Sequence, residues 1–187
     1  MRLSKSRLIA HRQCPKRLWL QIYRRDLAQK GEALENQLAQ GRRVGVAARS
    51  GYPDGVLIGH ADNPAAAIDE TRQALSRSGD VTLFEPALRC ADILVRADIL
   101  IRRRDSYRMI EVKSSTKVRP HHVTDAALQT WVVRGAGLDV DCIEIAHVDK
   151  AFVYPGGHDY GGLFAHADVT EAVTPLQDEI PAWIDAA

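Results

Sequence analysis

Apolar residues follow helical spacing at both ends of the chain and alternate as in strands through its middle. Ser4 or Ser6 caps a first predicted helix that ends near Gln13, and Pro15 begins a second one. The remaining predicted helices span residues 32–48 with interruptions at Gly41 and Gly45, 65–76, 120–135, and an acidic stretch from about residue 169. The predicted strands span residues 56–58, 81–88, 91–102, 107–114, 143–147 and 152–154. This order predicts an α/β or α+β sandwich around a small mixed sheet.

The two strands that flank the turn at residues 103–106 are the most informative. A symmetric turn there pairs Arg102 with Tyr107. In the same register the further opposed pairs are Leu100 with Met109, Asp98 with Glu111, and Arg96 with Lys113. One face is then apolar and consists of Val95, Ala97, Ile99, Ile101, Ile110 and Val112. The other face carries the charged residues of the last two pairs, flanked by Leu94, Leu100 and Met109. A slip of one residue would turn Asp98 toward the core, so burial favours this register.

Composition excludes several classes of protein. The chain has 187 residues, of which 45% are hydrophobic, and this fits one domain with a core of its own. No apolar run approaches the roughly 20 residues that a membrane span needs. Three cysteines cannot form a closed disulfide framework, which favours a reducing compartment and predicts a cytoplasmic protein. Cys14, Cys90 and Cys142 are predicted to be small buried apolar residues.

The charge is distributed unevenly although the net charge is only +1. Residues 1–25 contain eight lysines and arginines and no acid, whereas residues 150–187 contain one lysine and six acids. A basic end on a neutral chain suggests a polyanionic partner. The alternative is an arginine-rich helix face that is simply solvated.

The opposed acids of the hairpin suggest a metal site. Asp98 and Glu111 would lie roughly 5 Å apart at Cβ, and two carboxylates that close repel unless a cation lies between them. Mg²⁺ prefers one or two carboxylates, retained waters and phosphate oxygens, and the Val112 carbonyl could complete the shell. Lys113 would reach the same site and hold a water or a phosphate. Alternatively, Arg96–Glu111 and Asp98–Lys113 form a surface lattice of salt bridges, each worth about a kcal/mol or less.

Polar residues near the hairpin extend this candidate site. On the helix after Pro120, the residues that share one stripe are His121, Asp125 and Gln129. Asp125 or Gln129 could orient water or phosphate, or the stripe could be a solvated face. Backbone phosphates could be contacted by Ser114, Ser115 and Lys117 just beyond the strand. Glu85 could point at Asp98 and either support that carboxylate or bind a second metal ion, or it could be an ordinary strand-edge residue.

These residues together resemble the PD-(D/E)XK nuclease superfamily, and more closely its RecB-like branch, which includes the CRISPR-associated exonucleases. Asp98, Glu111-Val112-Lys113 and Gln129 carry the resemblance, together with the N-terminal segments Leu3-Ser4-Lys5-Ser6 and Cys14-Pro15-Lys16-Arg17-Leu18-Trp19-Leu20. It covers about residues 1–150. It implies a restriction-endonuclease-like αβββαβ core, with a mixed central sheet flanked by helices and extra N-terminal helices.

The implied activity is hydrolysis of DNA phosphodiester bonds that depends on Mg²⁺ or Mn²⁺. Asp98 and Glu111 would be metal ligands, Lys113 the catalytic lysine and Gln129 the helix glutamine. The basic N-terminal helices, through Arg12, Lys16 and Arg17, would guide the DNA. We expect a single domain over residues 1–187, with a basic helical part at 1–50, a catalytic core at 81–154 and an acidic helix at 165–187. A separate helicase or other protein is a plausible partner, and no membrane association is expected.

The sequence departs from the family pattern in three ways. Gly45 stands where relatives often have a histidine ligand on the first core helix, although Glu32 or Glu35 could substitute for it. Val133 stands where relatives have a tyrosine four residues after the helix glutamine. Three cysteines in total are too few for the four-thiolate iron–sulfur cluster of several relatives, so no cluster is expected. These departures leave open a catalytically weak or inactive nucleic-acid-binding module with the same fold. A further alternative is a structural or interaction domain in which the charged residues only form salt bridges.

Overall fold

The computed structural model describes residues 3–28 and 31–187. The helices are α1 (Lys5–Gln13), α2 (Pro15–Tyr23), α3 (Glu32–Arg49), α4 (Pro64–Ser76), α5 (Pro120–Gly135), α6 (Thr170–Val173) and α7 (Ile180–Asp185), with short 3₁₀ turns at Arg25–Leu27 and Thr174–Asp178. The strands are β1 (Leu3–Ser4), β2 (Val56–Leu57), β3 (Val81–Phe84), β4 (Ala87–Cys90), β5 (Ile93–Arg96), β6 (Ile99–Arg103), β7 (Ser106–Lys113), β8 (Val140–Val148) and β9 (Phe164–Asp168).

A six-stranded mixed sheet in the order β2-β3-β6-β7-β8-β9 forms the centre of the protein. Strands β3, β6 and β7 are antiparallel neighbours, and β8 runs parallel to β7 after the crossover through α5. If the β4–β5 hairpin is treated as an insertion, a helix, three strands, α5 and β8 follow one another in the expected αβββαβ order. The fold is therefore mixed α/β with helices on both sides of the sheet.

The predicted register of the β6–β7 hairpin is confirmed, because Leu100 lies opposite Met109 and Arg102 opposite Tyr107. The predicted lengths of the neighbouring strands are wrong. Residues 81–88 and 91–102 each divide into two strands, and the outer halves β4 and β5 join β1 in a separate three-stranded sheet.

The division has a local cause at Glu85 and Pro86. Glu85 adopts a left-handed backbone conformation with φ of 53°, and Pro86 has no N–H to continue the ladder. The opposite chain bends at the same level, where the Glu85 N–H donates to the Asp98 carbonyl at 3.1 Å and the Ala97 N–H donates to the Pro86 carbonyl at 3.2 Å. Asp98 therefore lies at the corner where the chain enters the central sheet.

This corner changes the predicted faces of the hairpin. Val95 and Ala97 do not extend the apolar face of Ile99, and pack instead in the cluster on the other side of the central sheet. Arg96 lies opposite Ala87 rather than Lys113, and its guanidinium donates to the carbonyl oxygens of residues 58 and 59. The predicted Arg96–Glu111 salt bridge of the surface lattice is absent from the ion pairs of the described residues, since the carboxylate near Arg96 is that of Glu85.

The two faces of the central sheet are covered by different helices. The α3 residue Ala48 packs on the side of Ile99 and Ile110, whereas α5 packs on the side of Leu100 and Met109. The α5 residues that are buried are His122, Ala126, Ala127, Leu128, Gln129, Thr130, Val132 and Val133. The side of the sheet under α5 is also the side of Glu111, because alternate residues of a strand point to the same face.

Several smaller expectations also need correction. Helix α3 runs without interruption through Gly41 and Gly45, because a glycine costs only about 1 kcal/mol in a helix. No strand forms at residues 152–154, and the last strand is instead β9, which the sequence analysis did not predict. The acidic C-terminal stretch forms two short helices joined by a 3₁₀ turn rather than one helix.

The cysteines are more exposed than predicted, since Cys14 is exposed and Cys90 and Cys142 are partly exposed. All three are free thiols. Within the part of the chain that the structure describes, no helix combines the length and the apolar character that crossing a membrane requires.

A buried hydroxyl group ties α4 to the β3–β4 corner, and its removal tests this packing. Thr71 Oγ1 donates to the Ala67 carbonyl at 2.8 Å and accepts the Ala87 N–H at 2.9 Å, and the residue is 1% exposed. Thr71→Val keeps the shape but leaves the Ala87 N–H buried without a partner. We expect the free energy of unfolding to fall by about 1–3 kcal/mol in urea titrations. Thr174→Val, in which an exposed hydroxyl is lost, should change it by about 0.5 kcal/mol or less. Equal effects of the two variants would contradict this account.

Candidate active site

Asp98 and Glu111 lie next to each other at the end of the β6–β7 hairpin. Ile99 is paired with Ile110, so the preceding Asp98 lies beside Glu111. The Asp98 Oδ2 atom accepts the Val112 N–H at 2.7 Å, which fixes the carboxylate against β7. The N–H and C=O groups of one strand residue point to the same side, so the Val112 carbonyl also faces Asp98.

Lys113 and two residues of α5 complete the buried part of the site. The Lys113 Nζ atom lies 2.7 Å from Glu111 Oε1 and 2.5 Å from Asp125 Oδ2. The Gln129 Nε2 atom donates to Glu111 Oε2. Asp125 and Gln129 are therefore on the stripe of α5 that faces the sheet, and the structure brings all five residues Asp98, Glu111, Lys113, Asp125 and Gln129 together.

Lys5 is a member of this cluster that the sequence pattern did not identify. Its Nζ atom lies 3.1 Å from Asp125 Oδ1 and 3.4 Å from Glu111 Oε1. The segment Leu3-Ser4-Lys5-Ser6 is part of the resemblance to the nucleases. No sequence spacing, however, connects Lys5 to Glu111, which lies 106 positions away. The contact arises because β1 pairs with β5 and places the first turn of α1 over the hairpin.

The charges of the cluster do not balance. Three carboxylates (Asp98, Glu111, Asp125) share two ammonium groups (Lys5, Lys113), which leaves one formal negative charge in excess. Both lysines contact Glu111 and Asp125, whereas Asp98 receives only a backbone N–H. The excess charge therefore falls on Asp98.

The pKa values reflect this distribution. Burial, followed by the charge of Glu111, raises the pKa of Asp98 to about 7. Burial also opposes ionisation of Glu111, but Lys5 and Lys113 hold the pKa of Glu111 below its usual range. Burial disfavours the Lys113 ammonium as well, yet Glu111 and Asp125 raise the pKa of Lys113. The site thus contains one buried carboxyl group, that of Asp98, which neither ammonium contacts.

The donor set fits a hard divalent cation. Asp98 and Glu111 supply two carboxylates, the Val112 carbonyl faces the same side, and the Gln129 Oε1 atom is buried without a hydrogen-bond partner. Mg²⁺ is typically held in this way, by one or two carboxylates together with water and phosphate oxygens. Among the described residues there is no group of three or more His, Cys, Asp or Glu side chains arranged to hold a metal by themselves.

Glu85 contacts Asp98 through its backbone and not through its carboxylate. Its carboxylate is 3.7 Å from Arg96 and its side chain is 45% exposed. The backbone N–H of Glu85 donates to the carbonyl of Asp98. Glu85 thus supports the corner that carries Asp98.

The predicted nucleic-acid contacts lie around the site in different environments. Lys16 and Arg17 are exposed on α2 and line an open groove of about 850 Å³. The Arg12 guanidinium lies 4.0 Å from the ring centroid of Trp183, although the residue is exposed. Of the three predicted contacts in the loop after β7, Lys117 is exposed, whereas Ser114 and Ser115 are partly buried. Ser115 donates its hydroxyl to the Lys117 carbonyl at 2.9 Å.

The two positions that depart from the family pattern do not contribute to the site. Gly45 lies on α3, which packs on the opposite side of the sheet from Glu111. Val133 is fully buried in the apolar cluster under α5. Glu32 and Glu35 lie in the exposed first turn of α3.

The sequence matches no protein-family model, and no curated protein is similar to it at a significant level. The solved crystal structure of a protein called SSO0001 is similar in three dimensions, with a TM-score of 0.48 and 11% identity. The similarity covers 95% of this chain and 75% of that one. A similarity this low supports no conclusion about family or function, so the resemblance to the PD-(D/E)XK nucleases stays a prediction.

The unbalanced charge can be tested by thermal unfolding. In Asp98→Asn, the amide oxygen still accepts the Val112 N–H while one of two repelling carboxylates is neutralised. We expect a higher Tm than wild type in EDTA at pH 8, by about 2–4 °C for each kcal/mol gained, and a smaller Tm increase on addition of Mg²⁺. Asp105→Asn, which changes an exposed acid in the turn of the same hairpin, should leave both values as in wild type. A lower Tm for Asp98→Asn in EDTA would indicate a purely structural salt-bridge cluster instead.

Proposed function

We propose that this protein is a Mg²⁺- or Mn²⁺-dependent nuclease that hydrolyses DNA phosphodiester bonds. The observation that carries the proposal is the pair of buried carboxylates, Asp98 and Glu111, beside the Lys113 ammonium on one hairpin. The cluster has three carboxylates and two ammonium groups, and neither ammonium contacts Asp98. A metal ion and a phosphodiester would together supply the missing positive charge and a ligand for the ammonium groups.

The cation would be held by Asp98, Glu111 and the Val112 carbonyl. When bound, Mg²⁺ or Mn²⁺ supplies Lewis-acid activation of the phosphate and of a water molecule. The residues of the chain have separate roles around it. Gln129 fixes one oxygen of Glu111 by a hydrogen bond, which orients that carboxylate. Asp125 holds the Lys113 ammonium next to Glu111.

Lys113 is the residue that would act on the substrate directly. Its ammonium lies beside Glu111, where it can hold the attacking water and stabilise the negative charge that develops on the phosphate oxygens. Its three N–H groups are donors, so contacts to Glu111 and Asp125 leave one for substrate. Because Lys113 is only 20% exposed, its charge acts with little screening by solvent.

The surface near the site suits a polyanion. Lys16 and Arg17 on α2, and Ser114, Ser115 and Lys117 after β7, can contact backbone phosphates without reading sequence. Arg12 can do so while its guanidinium remains stacked on Trp183. The three free thiols fit a cytoplasmic location, and a separate helicase or other DNA-processing protein is the proposed kind of partner.

Cleavage assays on single- and double-stranded DNA with Mg²⁺ or Mn²⁺ test the proposal. We expect wild type to produce fragments, EDTA to abolish them, and Lys113→Ala and Glu111→Ala each to lower kcat by about 10²-fold or more, because each loses a charge at the reacting phosphate. Two exposed residues far from the site provide matched controls. Arg77→Ala and Glu171→Ala should cleave as well as wild type.

Two results would speak against a nuclease. Cleavage that persists undiminished in both Lys113→Ala and Glu111→Ala would exclude the assigned residues. Salt-sensitive DNA binding that is unaffected by EDTA, without any cleavage, would instead support the binding module that the absent histidine and tyrosine suggest.

A further inference from the structure

Lys5 reaches the candidate active site from an element outside the hairpin and α5. It is the first residue of α1, and Ser4 caps that helix by accepting the Arg7 N–H at 3.4 Å. Strand β1 immediately before it is hydrogen-bonded to β5, and Leu8 of α1 is fully buried in the core. The position of Lys5 is therefore set by backbone pairing and apolar packing that do not depend on its own charge.

The two lysines of the site contact the same two acids. Lys113 contacts Asp125 Oδ2 and Lys5 contacts Asp125 Oδ1, at 2.5 Å and 3.1 Å. Both ammonium groups also lie near Glu111 Oε1. Asp125 thus positions the two ammonium groups side by side in front of Glu111.

The side chains of the two lysines and of Asp125 lie nearer to solvent than that of Glu111. Lys5, Lys113 and Asp125 are 24%, 20% and 16% exposed, whereas Glu111 is 4% exposed. A cleft of about 270 Å³ opens beside Lys5 and Asp125 and follows α1 past Gln13 to Arg17. A ligand in this cleft would meet the Lys5 ammonium at the entrance of the site and the Arg17 guanidinium further along.

We propose that Lys5 is a second phosphate-binding catalytic residue, and that the cleft along α1 receives the adjoining phosphate of the DNA strand, which Arg17 contacts. This inference rests on the proposed nuclease function. Lys5 remains protonated throughout, and its role is to stabilise negative charge on an oxygen of the reacting phosphate together with Lys113. Asp125 is a positioning residue that keeps both ammonium groups in place.

A purely structural role explains Lys5 less well. Helix α1 is already anchored by the pairing of β1 with β5 and by the buried Leu8, so its position does not require the charge of Lys5. Both ammonium groups contact Glu111 and Asp125, and neither contacts Asp98. The two positive charges therefore lie close together at the mouth of the cleft, where an oxygen of a phosphate could accept from both.

The test separates catalysis from metal binding in the variant Lys5→Met, which keeps the length of the side chain and removes its charge. We expect kcat with saturating DNA to fall by about 10²-fold. In the absence of DNA, Mn²⁺ should bind the variant more tightly than wild type, because a cation beside Glu111 has been removed. Activity is measured by DNA cleavage, Mn²⁺ affinity by calorimetric titration, and folding by the Tm, with all assays run well below the Tm of the variant.

Two further variants sharpen the interpretation. Lys5→Arg returns a cation to the position and should restore part of kcat. Arg77→Met removes one positive charge from an exposed site near the start of β3, at the opposite end of the sheet from Asp98, and should match wild type in all three measurements.

The inference is overturned if Lys5→Met retains the kcat and KM of wild type, or if it loses Mn²⁺ binding together with activity, as a structural role predicts. A wild-type protein that cleaves no DNA with either metal would refute the proposed nuclease function itself. That result differs from an active wild type with an equally active Lys5→Met variant, which refutes the role of Lys5 alone.

Discussion

The bond between the Asp98 carboxylate and the Val112 N–H holds two acidic residues together inside the protein. Carboxylates this close repel, and burial strengthens the repulsion, so neighbouring groups must offset it. Glu111 is stabilised by Lys5, Lys113 and Gln129. Neither ammonium contacts Asp98. The negative charge that remains on the Asp98 carboxylate is the one that the proposed metal, bound together with substrate, would neutralise.

The cluster forms only where four elements meet, and each is positioned by ordinary pairing or packing. They are the β6–β7 hairpin, α5, β1 with the start of α1, and the β4–β5 hairpin. The hairpin supplies both acids and Lys113, and its register follows from burial on both sides of the sheet. Helix α5 packs one face against the sheet, and on that face Asp125 contacts Lys113 while Gln129 contacts Glu111. Strand β1 pairs with β5 of the three-stranded sheet, and this pairing places Lys5, the next residue, at the site. The insertion of β4 and β5, which is peripheral to the central sheet, is thus what attaches the N-terminal helices to the site.

The sequence predicted those parts of the fold that depend on local patterns. The register of Leu100 with Met109 followed from alternation and a symmetric turn, and α5 followed from Pro120 and helical spacing. The strand breaks were missed because apolar alternation continues through Glu85 and Ala97, although Pro86 was a visible signal. Strand β9 was missed because it is a short edge strand with few large apolar residues, and its place is set by antiparallel pairing with β8 and by the 2.8 Å contact between His166 and Glu144.

The site was predictable to the extent that one hairpin carries it. Asp98, Glu111 and Lys113 are close in sequence, and their meeting required only the correct register. Lys5 is distant in sequence, and its contact with Glu111 depends on β1 joining a second sheet that no local pattern reveals. The central claim, a divalent cation between Asp98 and Glu111, is tested most directly by anomalous diffraction from crystals soaked in Mn²⁺. We predict an anomalous peak within coordination distance of both carboxylates, and a well-ordered site at high Mn²⁺ concentration without such a peak would contradict the claim.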